Sequence, residues 1–190
     1  MSSAATLQGR RVTLRPYSRG FTDAELKRLL SWARDPDVLE LAGGSPLNMS
    51  FERFRNAFLA QLPRRNTAME QQFAILDENG EIIGRIGLFG MRPGSDRAEL
   101  GVVIGDQAFW GRGYGRDAVG TLVDFGFDQL GLRSIKLYTL PENHRAQAAF
   151  EASGFARERM LERFSFERGT HAEIEMLITP QARAAAEPAE

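Results

Sequence analysis

The chain has 190 residues, 43% of them hydrophobic, and a formal net charge of -1, which fits one well-packed domain better than two. Acidic and basic residues are interspersed, without the positive excess or the Lys/Arg stripe that is typical of a nucleic-acid-binding surface. Cysteine is absent, which excludes disulfides, thiolate nucleophiles and zinc sites with cysteine ligands.

Membrane insertion, secretion and metal catalysis also find no support in the sequence. No stretch reaches the roughly 18 uninterrupted apolar residues of a membrane helix, and the N-terminus lacks the apolar centre of a secretory signal. His144 and His171 are far apart, and no His-Glu-x-x-His pattern occurs. We therefore expect a soluble cytoplasmic protein without membrane partner, nucleic-acid partner or catalytic metal.

The first half of the chain predicts one strand, two short helices and a meander. Apolar residues alternate over 10–15, and a capping box of Thr22 and Glu25 begins a helix. A loop at 41–50 separates this helix from a second one at 51–62. Alternation then predicts further strands, which short turns join into an antiparallel meander. These strands cover residues 71–76, 82–89 and 98–104.

The second half predicts a strand-helix-strand unit and a terminal hairpin. A glycine-rich turn at 110–115 opens a helix that Gly131 closes, and a strand follows at 134–140. Such a unit implies a parallel strand pair. A helix and a hairpin at 160–178 complete the order.

This order predicts a single α/β (α+β) domain over residues 10–179. Its sheet should be mixed and mostly antiparallel, with about seven strands and with helices on both faces. Residues 1–9 and 180–190 offer little to pack, and we expect them to be disordered.

The glycine turn has the features of an anion site. Gly111, Gly113 and Gly115 allow close approach of the backbone, and the following helix offers free N–H groups and the positive end of its dipole. Arg112 and Arg116 flank the position of a bound diphosphate. A purely structural turn is the alternative. The spacing fits neither a dinucleotide fingerprint nor a P-loop, and a nucleophile elbow is missing.

Two spaced motifs lie on either side of the strand at 134–140. The first joins the strand at 99–104 to the turn at 110–115, and the second has the spacing Asn-x-x-Ala/Ser-x-x-x-Tyr/Phe-x-x-x-Gly-Phe. The second motif consists of Asn143, Ala146, Phe150, Gly154 and Phe155. Together they resemble the signature of the GNAT superfamily of N-acetyltransferases, over residues 10–179 and most strongly over 98–156.

Trp110 and the terminal hairpin are similar to one branch of that family. This branch contains the ribosomal-protein N-terminal acetyltransferases and related polyamine and aminoglycoside enzymes. Trp110 stands where the family usually has Gln or Arg, so that phosphate contact is lost unless Arg112 replaces it. A homodimer through the hairpin fits the same analogy.

The resemblance implies acetyl-CoA as co-substrate and no metal. Pantetheine would pair with the strand at 101–104, where it splays from the strand at 135–140, and the diphosphate would lie on the amides of 112–116. Asn143 would bind the cofactor, although capping of the next helix is the alternative. The candidate cofactor-binding residues are Val102, Val103, Ile104, Trp110, Gly111, Arg112, Gly113, Tyr114, Gly115, Arg116, Asn143 and Phe150.

Glu99 is the candidate general base. Alternation places Glu99 and Gly101 on one face of their strand, and the small Gly101 leaves room beside the carboxylate. The resemblance implies that this acid deprotonates the substrate ammonium. A surface glutamate paired with Arg97 or another base is the alternative. Backbone N–H groups around Val102 and Val103 would polarise the thioester carbonyl.

The general acid of many relatives is a tyrosine in the slot that Phe150 fills here. Tyr114 and Tyr138 are possible replacements, and a structural role is the alternative for each. A thiol has a pKa of about 8.5, so the thiolate can leave at neutral pH without a strong acid.

The resemblance implies that residues 22–62 and the hairpin shape the acceptor side. Acidic residues there would suit a cationic amine, although exposed helix faces or core aromatics are the alternative. The candidate contacts are Trp32, Asp35, Asp37, Glu40 and Phe51. A peptide N-terminus, a polyamine, an aminoglycoside and other small amines all remain open as acceptors.

The predicted function is acetyl transfer from acetyl-CoA to a primary amine by direct attack in a ternary complex. The absence of cysteine excludes a covalent acetyl-cysteine intermediate. Phe150 keeps open a non-catalytic acyl-CoA-binding or sensing module, and a structural domain whose glycine turn only packs is the other alternative.

Overall fold

The computed structural model describes residues 5–42, 44–165 and 168–186, and in them one sheet carries nine strands. The strands are β1 (Leu7–Gln8), β2 (Thr13–Pro16), β3 (Asn66–Thr67), β4 (Glu70–Leu76), β5 (Ile82–Phe89), β6 (Arg97–Ile104), β7 (Ser134–Thr139), β8 (Ala156–Ser165) and β9 (Gly169–Ile178). The helices are α1 (Asp23–Trp32), α2 (Pro36–Ala42), α3 (Phe51–Gln61), α4 (Tyr114–Asp128), α5 (His144–Glu151) and α6 (Pro180–Ala186).

The order of the strands confirms the predicted mixed sheet. The order is β1-β2-β4-β5-β6-β7-β9-β8, with β3 beside β4, and β6–β7 is the parallel pair among antiparallel neighbours. The two strands beyond the predicted seven, β1 and β3, are two residues long, which is too short for a visible alternation.

Helices cover both faces of the sheet, as predicted. The larger core lies under α4 and α5, with Leu122 and Phe150 among its buried residues. The smaller core lies under α1 and α3, where Leu26 packs with Tyr17 and with partly buried Phe58. The capping box of Thr22 and Glu25 is present at the start of α1.

Both predicted disordered ends need correction where the structure describes them. Residues 180–186 form α6, because Arg183 reaches Asp124 in α4 with an N–O distance of 2.7 Å and Ala182 packs on the larger core. At the other end β1 pairs with β2, and the carboxylate of Asp117 accepts backbone N–H groups of the following loop, including that of Val12 at 3.0 Å. Residues 1–4 and 187–190 lie outside the described residues.

A helix that was not predicted, α2, precedes the predicted loop at 41–50 and extends to Ala42. Pro36 occupies the first position of α2, where its missing N–H costs nothing. The side chain of Asp35 caps this helix by accepting the N–H of Asp37 at 3.0 Å. Asp35–Pro36 therefore starts α2 shortly after α1 has ended at Trp32.

Candidate active site

The parallel strands β6 and β7 separate after three residue pairs. Pairing runs from Arg97 with Ser134 to Glu99 with Lys136, whereas β6 continues to Ile104. A gap thus opens in the middle of the sheet beside the second half of β6, at the place where the resemblance puts pantetheine.

The amide of Val102 faces this gap. The N–H of Gly105 donates to the carbonyl oxygen of Ile83 in β5 at 2.9 Å. Hydrogen-bonded and non-hydrogen-bonded pairs alternate along an antiparallel ladder, so Val103, opposite Arg85, also turns its backbone toward β5. Val102 turns away from β5 and lies beyond the residues paired with β7. This corrects the expectation for Val103, whose N–H is not a donor to the gap.

A cavity of about 800 Å³ includes the gap, and its lining residues come from both faces of the sheet. Its lining includes residues of β6 and β7, of α1 and α5, and of the terminal hairpin. Of the predicted site residues it contains Trp32, Glu99, Val102, Val103, Tyr138, Asn143 and Phe150. Ile104 is not part of this lining among the described residues, and its carbonyl oxygen accepts the indole N–H of Trp110 at 2.7 Å.

Glu99 lies at the edge of the gap, with its side chain 44% exposed. Its nearest cation is Lys136, with Nζ 4.0 Å from Oε2, whereas Arg97 pairs with Asp96. An exposed pair at this distance contributes little energy, so the carboxylate stays available to a ligand. Gly101 follows on the same face, and a Cβ there would lie 3.2 Å from the ring of Phe89. The room beside Glu99 is therefore bounded by that ring.

Tyr138 is the centre of a hydrogen-bonded chain at the opposite edge of the gap. Its hydroxyl accepts from Lys136 Nζ at 2.7 Å and donates to Glu175 Oε2 at 2.8 Å. Burial raises the pKa of the Glu175 carboxyl. Hydrogen bonds from Tyr138 and Arg159 lower this pKa, and together with nearby positive charges they outweigh burial, so the net shift is downward. Glu175 is thus held as a carboxylate that keeps the Tyr138 hydroxyl in place.

Tyr114 lies elsewhere, which corrects its candidacy as an acid. The side chain is buried, and its hydroxyl donates to the Glu78 carboxylate at 2.8 Å in the turn between β4 and β5. This hydrogen bond raises the pKa of the Tyr114 phenol, and burial adds to the rise. Tyr114 is not among the described residues that line the cavity, so its side chain is structural.

The glycine turn has the backbone conformation of an anion site. Gly111 and Gly113 have φ of 71° and 87°, in the left-handed region that favours glycine, and Gly113 is the N-cap of α4. The first intrahelical bond joins Asp117 N to Gly113 O at 3.0 Å. The amides of Tyr114, Gly115 and Arg116 precede it and are therefore free of helical acceptors.

Arg112, Gly113 and Arg116 line a second cavity, of about 890 Å³, rather than the first. The guanidinium of Arg112 is held back toward the protein, since Nη1 donates to the carbonyl oxygen of Ala108 at 3.2 Å. Arg145 stacks on Trp110 instead, with its guanidinium carbon 4.0 Å from the ring centroid. The cation beside the turn that sequence reasoning missed is therefore Arg145, at the start of α5.

Asn143 and Phe150 have the positions that the second motif predicts. The Asn143 side chain caps α5 by accepting the Ala146 N–H at 3.1 Å, and both residues line the cavity. Phe150 is buried and packs against Phe155. The cap is formed whether or not Asn143 also contacts a ligand.

Only part of the predicted acceptor side lies at the cavity. Trp32 lines it and packs over Gly105, where a Cβ would come within 2.1 Å of the indole. Phe51 instead packs against the smaller core beside Lys27. It shares a face of α3 with Phe58, which lines the cavity, but lies about two turns away at the start of the helix. Asp35, Asp37 and Glu40 also lie outside the lining among the described residues.

Sequence reasoning missed the polar residues that strand register brings to the cavity. Tyr17, Arg85, Arg163, His171 and Glu173 line it, together with Phe54 and Phe58 of α3. The alternation of His171, Glu173 and Glu175 with buried Ile174 and Met176 was a signal that could have found part of this set.

Within the described ranges, no group of His, Cys, Asp or Glu is arranged to hold a metal ion. No helix in the described part of the chain is long and apolar enough to cross a bilayer.

Comparison with known proteins gives a consistent picture. The family described as "Acetyltransferase (GNAT) domain" matches residues 11–156. The uncharacterized N-acetyltransferase p20 of Bacillus licheniformis is 28% identical over 173 residues, which cover 90% of this chain and 93% of that protein. Spermidine N(1)-acetyltransferase of Vibrio cholerae is 25% identical over 60% of this chain and 65% of that protein.

Solved structures share the fold. The spermidine N-acetyltransferase from Vibrio cholerae, in complex with CoA and spermine, superposes with a TM-score of 0.74 at 22% identity over 91% of this chain and 98% of that chain. These findings confirm the prediction of an N-acetyltransferase with acetyl-CoA as co-substrate. The chain belongs to the acetyltransferase (GNAT) domain family.

Proposed function

We propose that the protein acetylates a primary amine by direct attack in a ternary complex at the gap between β6 and β7. The observation that carries this proposal is the meeting of the Val102 amide, the Glu99 carboxylate and the Tyr138 hydroxyl around one cavity. Acetyl-CoA supplies the acetyl thioester when it is bound.

The binding of acetyl-CoA fits the residues that are present. The Val102 N–H, left without a strand partner, can bind a carbonyl oxygen, and the free amides at the start of α4 suit a diphosphate. Arg145, stacked on Trp110, places a positive charge beside the turn where the family's Gln or Arg is missing. Asn143 and Phe150 bound the cavity on the α5 side.

Glu99 removes the proton of the attacking ammonium, directly or through one water. It faces the same side of β6 as Gly101, and an ion pair with Lys136 at 4.0 Å leaves its carboxylate oxygens accessible. The other carboxylate that lines the cavity, Glu173, is engaged by Arg163 at 3.2 Å. Glu99 is therefore the better base.

Tyr138 protonates the departing thiolate in place of the tyrosine that Phe150 replaces. Its hydroxyl lies between Lys136 and Glu175, which fix its orientation, and the Lys136 ammonium can return the proton. Changing Tyr138 to Phe removes this donor, and we expect kcat to fall about 10-fold to 100-fold with acetyl-CoA affinity unchanged. Steady-state release of CoA with a fixed amine, together with titration of acetyl-CoA, measures both quantities.

Equal kcat for the Tyr138→Phe variant and the parent protein would remove Tyr138 as acid. Tyr17→Phe is the matched control, since Tyr17 also lines the cavity but lies in the smaller core under α1 and α3. A larger loss of kcat in the Tyr17→Phe variant would indicate that Tyr17 is the general acid.

The acceptor class is supported by likeness alone. Likeness to a spermidine acetyltransferase of Vibrio cholerae, in sequence and in structure, supports a small amine. Likeness to the structure of a "putative ribosomal-protein-serine acetyltransferase" from Vibrio cholerae supports a peptide N-terminus. A homodimer through the hairpin remains a prediction that the exposed Met160 and Phe164 on β8 support.

A further inference from the structure

Arg85 is a cation in the lining of the cavity that the acetyl-transfer chemistry does not use. It lies on β5 directly opposite Val103, on the face of the sheet that α1 and α3 cover. Its side chain is exposed and lines the cavity. Among the described residues, its guanidinium has neither an ion-pair partner nor a hydrogen-bond acceptor.

The other charged side chains that line the cavity each have an opposite charge nearby. Glu99 has Lys136 beside it at 4.0 Å, and Glu173 forms an ion pair with Arg163 at 3.2 Å. Arg65 is also paired, with its Nη1 at 3.2 Å from Glu70. Among the described residues that line the cavity, Arg85 is therefore the charged side chain without an opposite charge in an ion pair.

The charge of Arg85 acts on the phenol of Tyr17, which lines the same cavity. Burial raises the pKa of the Tyr17 phenol, and the charges of Arg85 and Arg65 oppose that rise. Tyr17, Arg65 and Arg85 all line the cavity, on the side that α1 and α3 cover.

We propose that Arg85 binds an anionic oxyacid group, a carboxylate or a phosphate, of the acceptor amine. This inference rests on the proposed function and narrows its substrate class. Arginine binds either group through two parallel N–H bonds, a geometry that lysine does not offer.

The position of Arg85 also sets the size of the acceptor. An amine that attacks beside Gly101 is one or two strand residues from Val103, a separation of about 3–7 Å at the backbone. An acceptor with its amine and its anion a few bonds apart spans this distance. A polyamine would instead place a second ammonium against Arg85, which is unfavourable.

Matched pairs of acceptors test the inference. Methionine is compared with its amide, and phosphoethanolamine with ethanolamine, with spermidine as the cationic acceptor. In the Arg85→Gln variant, kcat/KM for the anionic member of the preferred pair should fall at least about tenfold, and that for its neutral partner by no more than about twofold. The preferred pair shows whether the group is a carboxylate or a phosphate.

Two controls separate the effect of Arg85 from other causes of a change in rate. Each acceptor is measured against itself in parent and variant, so differences in intrinsic amine reactivity cancel. Arg133→Gln is the matched control, because Arg133 is 85% exposed and lies outside the cavity lining. It should change neither member of a pair.

Equal losses for both members of a pair, or spermidine as the best acceptor, would overturn the inference and leave acetyl transfer standing. The same pairs are titrated onto the CoA-bound protein without turnover. Discrimination by Arg85 in binding, in a protein that acetylates none of the acceptors, would support the anion site and count against the proposed function.

Discussion

Replacing Gly113 by aspartate weakens acetyl-CoA binding by about 100-fold while the protein stays folded. Gly113 is the N-cap of α4 with φ of 87°, so a side chain there strains the turn. Its carboxylate would also occupy the end of the helix where the free amides and the positive dipole suit a diphosphate. Isothermal titration with acetyl-CoA measures the loss.

Gly94→Asp is the matched control for strain. Gly94 also has a positive φ, of 79°, and no atom lies within 4 Å of a Cβ built there. Both variants should lose similar thermal stability, whereas only Gly113→Asp should lose affinity. Unchanged acetyl-CoA affinity in a folded Gly113→Asp protein would show that the glycine turn has only a structural role.

Changing Glu99 to glutamine lowers the acetyl-transfer rate at neutral pH about 100-fold to 10,000-fold. Glutamine keeps the shape of the side chain but cannot accept a proton from the ammonium. Acetyl-CoA affinity should be unchanged, because the Val102 amide and the start of α4 are untouched. Initial rates over a range of pH, with acetyl-CoA titration on the same samples, separate the two effects.

Glu162→Gln is the matched control, because Glu162 is an exposed glutamate on β8 outside the cavity lining. An undiminished rate of the Glu99→Gln variant at every pH would show that Glu99 is not the general base. If no variant changed any activity and acetyl-CoA still bound, a non-catalytic binding module would be the better account.

Sequence patterns predicted most of the fold because most strands and helices are specified by the residues within them. Alternation fixed the strands from β4 to β7, and the short turns between the first three of them dictated antiparallel pairing. The helix at α6 could not be predicted in this way. Its Ala-rich sequence docks through Ala182 on the larger core and through the ion pair of Arg183 with Asp124, which lies 59 residues earlier.

The sequence predicted the site residues that belong to a local motif, but not those that strand pairing brings to the cavity. The glycine turn and Asn143 occupy the expected positions, since backbone conformation and capping are local. Arg85 reaches the cavity through its pairing with Val103, which the sequence does not reveal. The predicted contact of Phe51 failed because Phe51, Phe54 and Phe58 share one face of α3, and the sequence does not reveal which turn of the helix reaches the cavity.

Isothermal titration of the purified protein with acetyl-CoA tests the central claim most directly, with CoA, NADH and ATP as comparison ligands. We expect micromolar binding of acetyl-CoA and CoA, since both share the pantetheine and diphosphate that the gap and the α4 turn receive. NADH and ATP should bind far more weakly. Absence of acetyl-CoA binding, or equal affinity for NADH, would contradict the account.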